Sequence, residues 1–141
     1  MNRLIQMLKR HEGVRDKVYM CSAGYETIGV GRNISESGLG LSEDEIDYLL
    51  SNDIKRCREE LMVEYEWFSK LDSVRQEALI DLSFNIGQTR LRGFVKALGY
   101  MDIGDYDKAG DEFYDSRWAT QVGDRALEIC QMIKSGEYQV R

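Results

Sequence analysis

The chain has 141 residues, a formal net charge of −6 and 43% hydrophobic residues, which fits one globular domain with a buried core and excludes collagen-like, coiled-coil and wholly disordered classes. The acidic balance disfavours a nucleic-acid partner, because phosphates call for a basic face. No apolar run reaches the roughly 18 residues of a membrane span, so no stable membrane insertion is expected, and the opening stretch Met1 to His11 is too polar for a secretory signal.

The first predicted element is a short helix over Asn2 to Lys9, with Asn2 as its cap and Leu4, Ile5 and Leu8 on one face. Val18-Tyr19 and then Tyr25 to Val30 read as strands joined by Cys21-Ser22-Ala23-Gly24. Alternation within the second strand puts Thr27 on the face opposite Glu26. Residues 31 to 41 are rich in Gly, Ser and Asn and read as loop or weak strand.

A strong helix start follows at Ser42-Glu43-Asp44-Glu45, a capping box in which Ser42 and Glu45 can serve each other's backbone. Ile46, Leu50, Ile54, Cys57 and Leu61 continue it as the stripe of a long amphipathic helix. Asp72 is expected to cap a helix carrying Val74, Ala78, Leu79 and Leu82, which Gly87 should end. Shorter helices are predicted over 94–101 and 106–114, another from about Ser116, and a last one from about Asp124 to just before Gly136. The predicted fold class is α+β: a β-lobe over about 13–41, a linking helix over about 43–62 and a helical lobe over about 63–138 plus 1–11, together one domain over 1–141.

Three cysteines, Cys21, Cys57 and Cys130, are odd in number and widely spaced, which argues against a disulfide framework. Cys57 and Cys130 lie on apolar helix faces and read as core residues. His11 is the sole histidine, so neither a metal site nor a cofactor is expected.

The stretch that carries chemistry is His11-Glu12-Gly13-Val14-Arg15, then Tyr19-Met20-Cys21, then Gly24-Tyr25-Glu26-Thr27-Ile28-Gly29-Val30-Gly31-Arg32. Glu12 sits where the first helix gives way to the hairpin, Cys21 at the end of the first strand and Thr27 in the second. A carboxyl, a thiol and a hydroxyl can therefore converge on one side of a hairpin. Eight residues separate Glu12 from Cys21 and five separate Cys21 from Thr27.

This pattern resembles the active-site signature of phage endolysins of glycoside hydrolase family 24, a Glu, eight residues, an Asp or sometimes a Cys, five residues and a Thr. Asp72-Ser73-Val74-Arg75, Phe84-Asn85-Ile86-Gly87, Gly93-Phe94, Ser116-Arg117-Trp118 and Arg125-Ala126 resemble further family landmarks in the same order. Two departures stand out: Cys21 replaces the commoner aspartate, and only residues 33 to 41 separate the hairpin from the long helix where relatives carry a longer insertion.

The resemblance implies a lysozyme-like fold and a muramidase, acting on the β-1,4 bond between N-acetylmuramic acid and N-acetylglucosamine in peptidoglycan. Glu12 would donate the proton to the leaving oxygen; burial in a cleft would raise its pKa and keep it protonated, whereas Arg125, which the resemblance places beside it, would push the other way. Cys21 and Thr27 would hold the attacking water, with inversion at the anomeric carbon. Asn33 and Phe84 are implied as sugar contacts and Arg125 as the residue that orients Glu12. An Arg32–Asp53 pair is expected between the small lobe and the long helix. The expected partner is bacterial peptidoglycan, met by a monomer that is made in the host cytoplasm and reaches the wall in the periplasm with the help of a phage holin.

Two other readings compete. A lytic transglycosylase can work with one glutamate, and the missing second carboxylate keeps that reading open. A catalytically silent peptidoglycan-binding domain is motivated by the same loss. A cysteine peptidase pairing Cys21 with His11 is poor, because no orienting Asn or Asp accompanies them.

Overall fold

The computed structural model describes residues 2–139. They form two compact units, one ending at Leu49 and one starting at Leu50. A small three-stranded antiparallel sheet lies near the N-terminus, and the larger remainder is helical. No helix among the described residues is long and apolar enough to cross a membrane.

The N-terminal unit opens with α1 (Asn2–Glu12). Asn2, expected as the cap, is already helical, and the helix runs three residues beyond the predicted Lys9. Strands β1 (Arg15–Met20), β2 (Glu26–Gly29) and β3 (Arg32–Asn33) pair in chain order. Tyr19 faces Thr27 across β1 and β2, and Thr27 faces Asn33 across β2 and β3. The turn between β1 and β2 closes when the Cys21 N–H donates to the Tyr25 carbonyl at 3.0 Å and the Gly24 N–H to the Cys21 carbonyl at 2.9 Å.

Helix α2 (Glu43–Glu64) starts on the expected capping box. The Ser42 N–H donates to Glu45 Oε1 at 2.8 Å, and the Glu45 N–H donates to Ser42 Oγ at 3.4 Å, so the two ends satisfy each other. The predicted apolar stripe is buried only in its later part. Ile46 and Leu50 are exposed, whereas Cys57 and Leu61 are buried.

After a short 3₁₀ turn over Glu66–Lys70, Asp72 caps α3 (Ser73–Arg92) by accepting from the Arg75 N–H at 3.1 Å. Gly87 ends the first helical stretch as expected, with φ 82° and ψ 162°, a conformation only glycine adopts easily, and a second, short helical stretch follows it as far as Arg92. Helices α4 (Val95–Ile103), α5 (Tyr106–Tyr114), α6 (Arg117–Val122) and α7 (Asp124–Ser135) follow close to the predicted spans.

The core of the C-terminal unit centres on Phe68, Leu79, Leu82, Phe113 and Ile129, all fully buried or nearly so. The Arg75 guanidinium closes the end of α7. It donates to the Ile133 carbonyl at 2.6 Å and the Lys134 carbonyl at 3.0 Å, and it stacks 3.9 Å from the Tyr106 ring centroid. Phe94 packs on Phe113 and meets Trp118 edge-on.

Candidate active site

Within the N-terminal unit the hairpin positions Cys21 and Thr27. Cys21 is partly exposed at the turn, and the Tyr25 N–H donates to its sulfur at 3.4 Å. This N–H, followed by that of Ala23, draws the thiol pKa below its ordinary value. Partial desolvation opposes the shift, and hydrogen bonds from the Thr27 hydroxyl and the Gly24 N–H add to it. The turn thus presents several donors to one sulfur, an arrangement that favours thiolate.

Thr27 is 3% exposed, and its hydroxyl donates to the Tyr25 carbonyl at 2.8 Å. The hydroxyl carries a single proton, which can serve either that carbonyl or the Cys21 sulfur. Glu26, its neighbour on the strand, is exposed, as the alternation predicts.

Glu12 ends α1, and its side chain is open to solvent rather than buried. Its carboxylate lies directly against Gly31. A Cβ at position 31 would stand 2.9 Å from Glu12 Oε2, and Gly31 has φ 69°. The backbone at this position therefore calls for glycine, and a side chain here would also displace the exposed Glu12 carboxylate from its present place. The sequence pattern contained Gly31, but nothing in it told that the residue touches the carboxylate.

Asn33 closes the loop after β3. Its Oδ1 accepts from the Ser35 N–H at 2.9 Å and the Ser35 hydroxyl at 2.6 Å, which fixes the side chain locally. Both members of the expected Arg32–Asp53 pair have partners within their own units. Arg32 donates to Glu45 Oε1 and to the Gly40 carbonyl, each at 2.8 Å, while Asp53 pairs with Arg56 at 2.9 Å. The short segment after β3 brings the Gly40 carbonyl and Glu45 within reach of the Arg32 guanidinium.

Phe84 and Arg125 belong to the C-terminal unit and line one groove of about 470 Å³ with Ile54, Ile80 and Met132 on its walls. Phe84 is 47% exposed, whereas Trp118 is buried, its indole N–H donating to Asn85 Oδ1 at 2.8 Å. Of the two aromatics, only Phe84 offers an accessible face. The Arg125 guanidinium is engaged by Asp81 at 2.8 Å.

Cys57 and Cys130 are buried free thiols, as expected of core residues. Burial raises the Cys57 pKa and pushes that of Cys130 up to about 12, so both stay protonated.

Comparison with known proteins gives these observations a context. The family model for phage lysozyme matches residues 9–131. An endolysin of Acyrthosiphon pisum secondary endosymbiont phage 1 is 31% identical, covering 91% of this chain and 86% of that protein. The endolysin of Salmonella phage P22 is also 31% identical, over 77% of each chain. The pre-baseplate central spike protein Gp5 of Enterobacteria phage T4 is 26% identical across 96% of this chain, which spans only 28% of the spike protein's length.

Proposed function

The chain belongs to the phage lysozyme family, and on that premise we propose that it is an endolysin that hydrolyses the β-1,4 bond between N-acetylmuramic acid and N-acetylglucosamine in peptidoglycan. The observation that carries this reading is the Cys21–Thr27 pair. A donor-surrounded thiol and a buried hydroxyl sit together at the turn where an endolysin would hold its attacking water.

In the proposed reaction the Glu12 carboxyl gives its proton to the leaving glycosidic oxygen. Thr27 and Cys21 hold a water on the opposite face of the sugar. The water oxygen bonds to the anomeric carbon as the glycosidic bond breaks, and the Cys21 thiolate takes the water's proton. That proton returns to Glu12 through solvent, which restores both groups. Displacement by water from the opposite face inverts the anomeric configuration. Phe84 offers its exposed face to a sugar, Asn33 contributes a polar contact, and Arg125, held by Asp81, adds a charged group to the substrate-binding residues. The two units work as one lysozyme domain, as a monomer made in the host cytoplasm, reaching the periplasmic wall by way of a holin and bringing about host lysis.

The experiment is clearance of purified peptidoglycan by wild type, Glu12→Gln, Thr27→Val, Cys21→Ala and Cys21→Asp, with the released fragments weighed by mass spectrometry. Glu12→Gln is expected to lose turnover by about 10²–10⁴-fold, and Cys21→Asp to exceed Cys21→Ala. Thr27→Val should also lose turnover, because it keeps the side-chain shape and removes the hydroxyl. Products one water heavier than anhydro fragments support hydrolysis, and anhydro ends would point to transglycosylation. Wall binding without clearance by wild type, restored by Cys21→Asp, would replace the hydrolase with a silent binding domain.

A further inference from the structure

The Glu12 carboxylate lies beside Gly31, and the place of Gly31 is set by what anchors the chain just after it. Arg32 follows it and begins β3, a strand of two residues that pairs Arg32 with Ile28 and Asn33 with Thr27. Two residues make too short a ladder to hold a strand by themselves. Additional ties come from the Ile34 N–H to the Glu26 carbonyl at 2.9 Å and the Gly40 N–H to the Asn33 carbonyl at 3.1 Å.

Arg32 supplies the tie that reaches furthest. One guanidinium nitrogen donates both to the Gly40 carbonyl and to Glu45 Oε1. That same carboxylate oxygen accepts from the Ser42 N–H and the Ser42 hydroxyl, each at 2.8 Å. A continuous chain of bonds therefore runs from β3 to the first turn of α2. The Arg32 guanidinium is the chief reason that Glu45 is held down to about 2, with the Ser42 N–H and hydroxyl assisting, so the carboxylate stays charged at any ordinary pH.

The Arg32 and Glu45 side chains are 31% and 35% exposed. Ion pairs this open to solvent contribute little net stability. Their value here is directional, because they fix the strand against which Glu12 and Thr27 are both set. We propose that the Arg32–Glu45 pair is a positioning device for glycosidic cleavage, holding Gly31 against the Glu12 carboxylate and Asn33 against Thr27. The inference rests on the reading of Glu12 and Thr27 as catalytic.

The test measures kcat and KM on soluble glycan oligomers for Arg32→Gln, Glu45→Gln, the double variant and Arg32→Lys, beside wild type and Glu12→Gln. Thiolate absorbance of Cys21 serves as a control, since the donors that set it first, the Tyr25 and Ala23 N–H groups, belong to its own turn. Misplacement of a catalytic group lowers kcat more than KM, so Arg32→Gln and Glu45→Gln should each lose about tenfold in kcat with the Cys21 titration unchanged. The double variant should be no worse than either single one, because the two residues act as a unit. Arg32→Lys should recover part of the loss.

Unchanged kcat in Arg32→Gln and Glu45→Gln, with Glu12→Gln inactive, overturns the proposal and leaves the catalytic reading standing. Full activity of Glu12→Gln overturns that reading instead. If Arg32→Gln also shifts the Cys21 titration, the hairpin itself has loosened, and Arg32→Lys decides. Recovery of kcat together with the normal thiol titration supports positioning, and a normal titration without recovery of kcat overturns it.

Discussion

The two units are held by different forces. Every buried apolar side chain among the described residues lies at or beyond Cys57, whereas from Asn2 to Leu49 a single residue, Thr27, is buried. The C-terminal unit is a packed interior in which Leu82, Phe113 and Ile133 have no contact with water. The N-terminal unit is organised by turns, a capping box, a short sheet and the Arg32–Glu45 pair. Its one interior position is occupied by a candidate catalytic hydroxyl. Packing energy accumulates where the chain needs a rigid platform, and directional bonds dominate where it must aim a few groups.

The largest effect expected from this contrast is on stability. Phe113→Ala removes a fully buried ring, and should cost about 3–5 kcal/mol. Val18→Ala shortens a half-exposed side chain on β1, and should stay within about 0.5 kcal/mol. Urea unfolding monitored by circular dichroism checks both. Comparable losses at the two positions would break the comparison, since they would mean that β1 also contributes packing energy.

How much of this was legible in the sequence follows the same division. The C-terminal helices were readable because their order comes from periodic apolar residues and from local caps. Asp72, Ser116 and Gly136 stand where a cap or stop is needed. Gly87 marked the break correctly, whereas the short helical stretch that follows it to Arg92, with Leu91 buried, had no cap or periodic signal of its own to announce it. In the N-terminal unit the spacing of Glu12, Cys21 and Thr27 pointed to the site. The partners that shape it did not show, because a guanidinium chooses among carboxylates by position in space. Arg32 meets Glu45 and Asp53 meets Arg56, and nothing in the run of residues assigns either carboxylate to its partner. The approach of Gly31 to Glu12 was hidden for the same reason.

A second effect, smaller than unfolding the core, sharpens the comparison through the thiols. Cys21 is partly exposed and surrounded by N–H donors that favour its thiolate, whereas Cys57 and Cys130 are buried and hold their protons. In a thiol-reagent titration of the native protein, one equivalent should react rapidly and the other two only as the chain unfolds. Peptide mapping should place the rapid label on Cys21, and the labelled protein should lose wall clearance. Rapid labelling at Cys130 would show that the C-terminal interior opens far more readily than its burial implies.

The smallest effect concerns acid. Glu45 has its folded pKa lowered to about 2 by Arg32 first and then by Ser42. A carboxylate lowered in this way contributes stability that is present above its unfolded value, roughly 4.3, and that is lost as pH falls through its folded value. The Tm difference between wild type and Glu45→Gln should therefore be constant from neutral pH down to about 5. It should shrink between there and pH 2, where the wild-type carboxylate takes up its proton. The side chain is a third exposed, so the difference should also weaken with added salt. The Phe113→Ala loss should show neither dependence, because no charge is involved in filling that space. A Glu45→Gln difference independent of both pH and salt would mean that the carboxylate acts through shape alone, and the two units would then differ less in kind than their burial suggests.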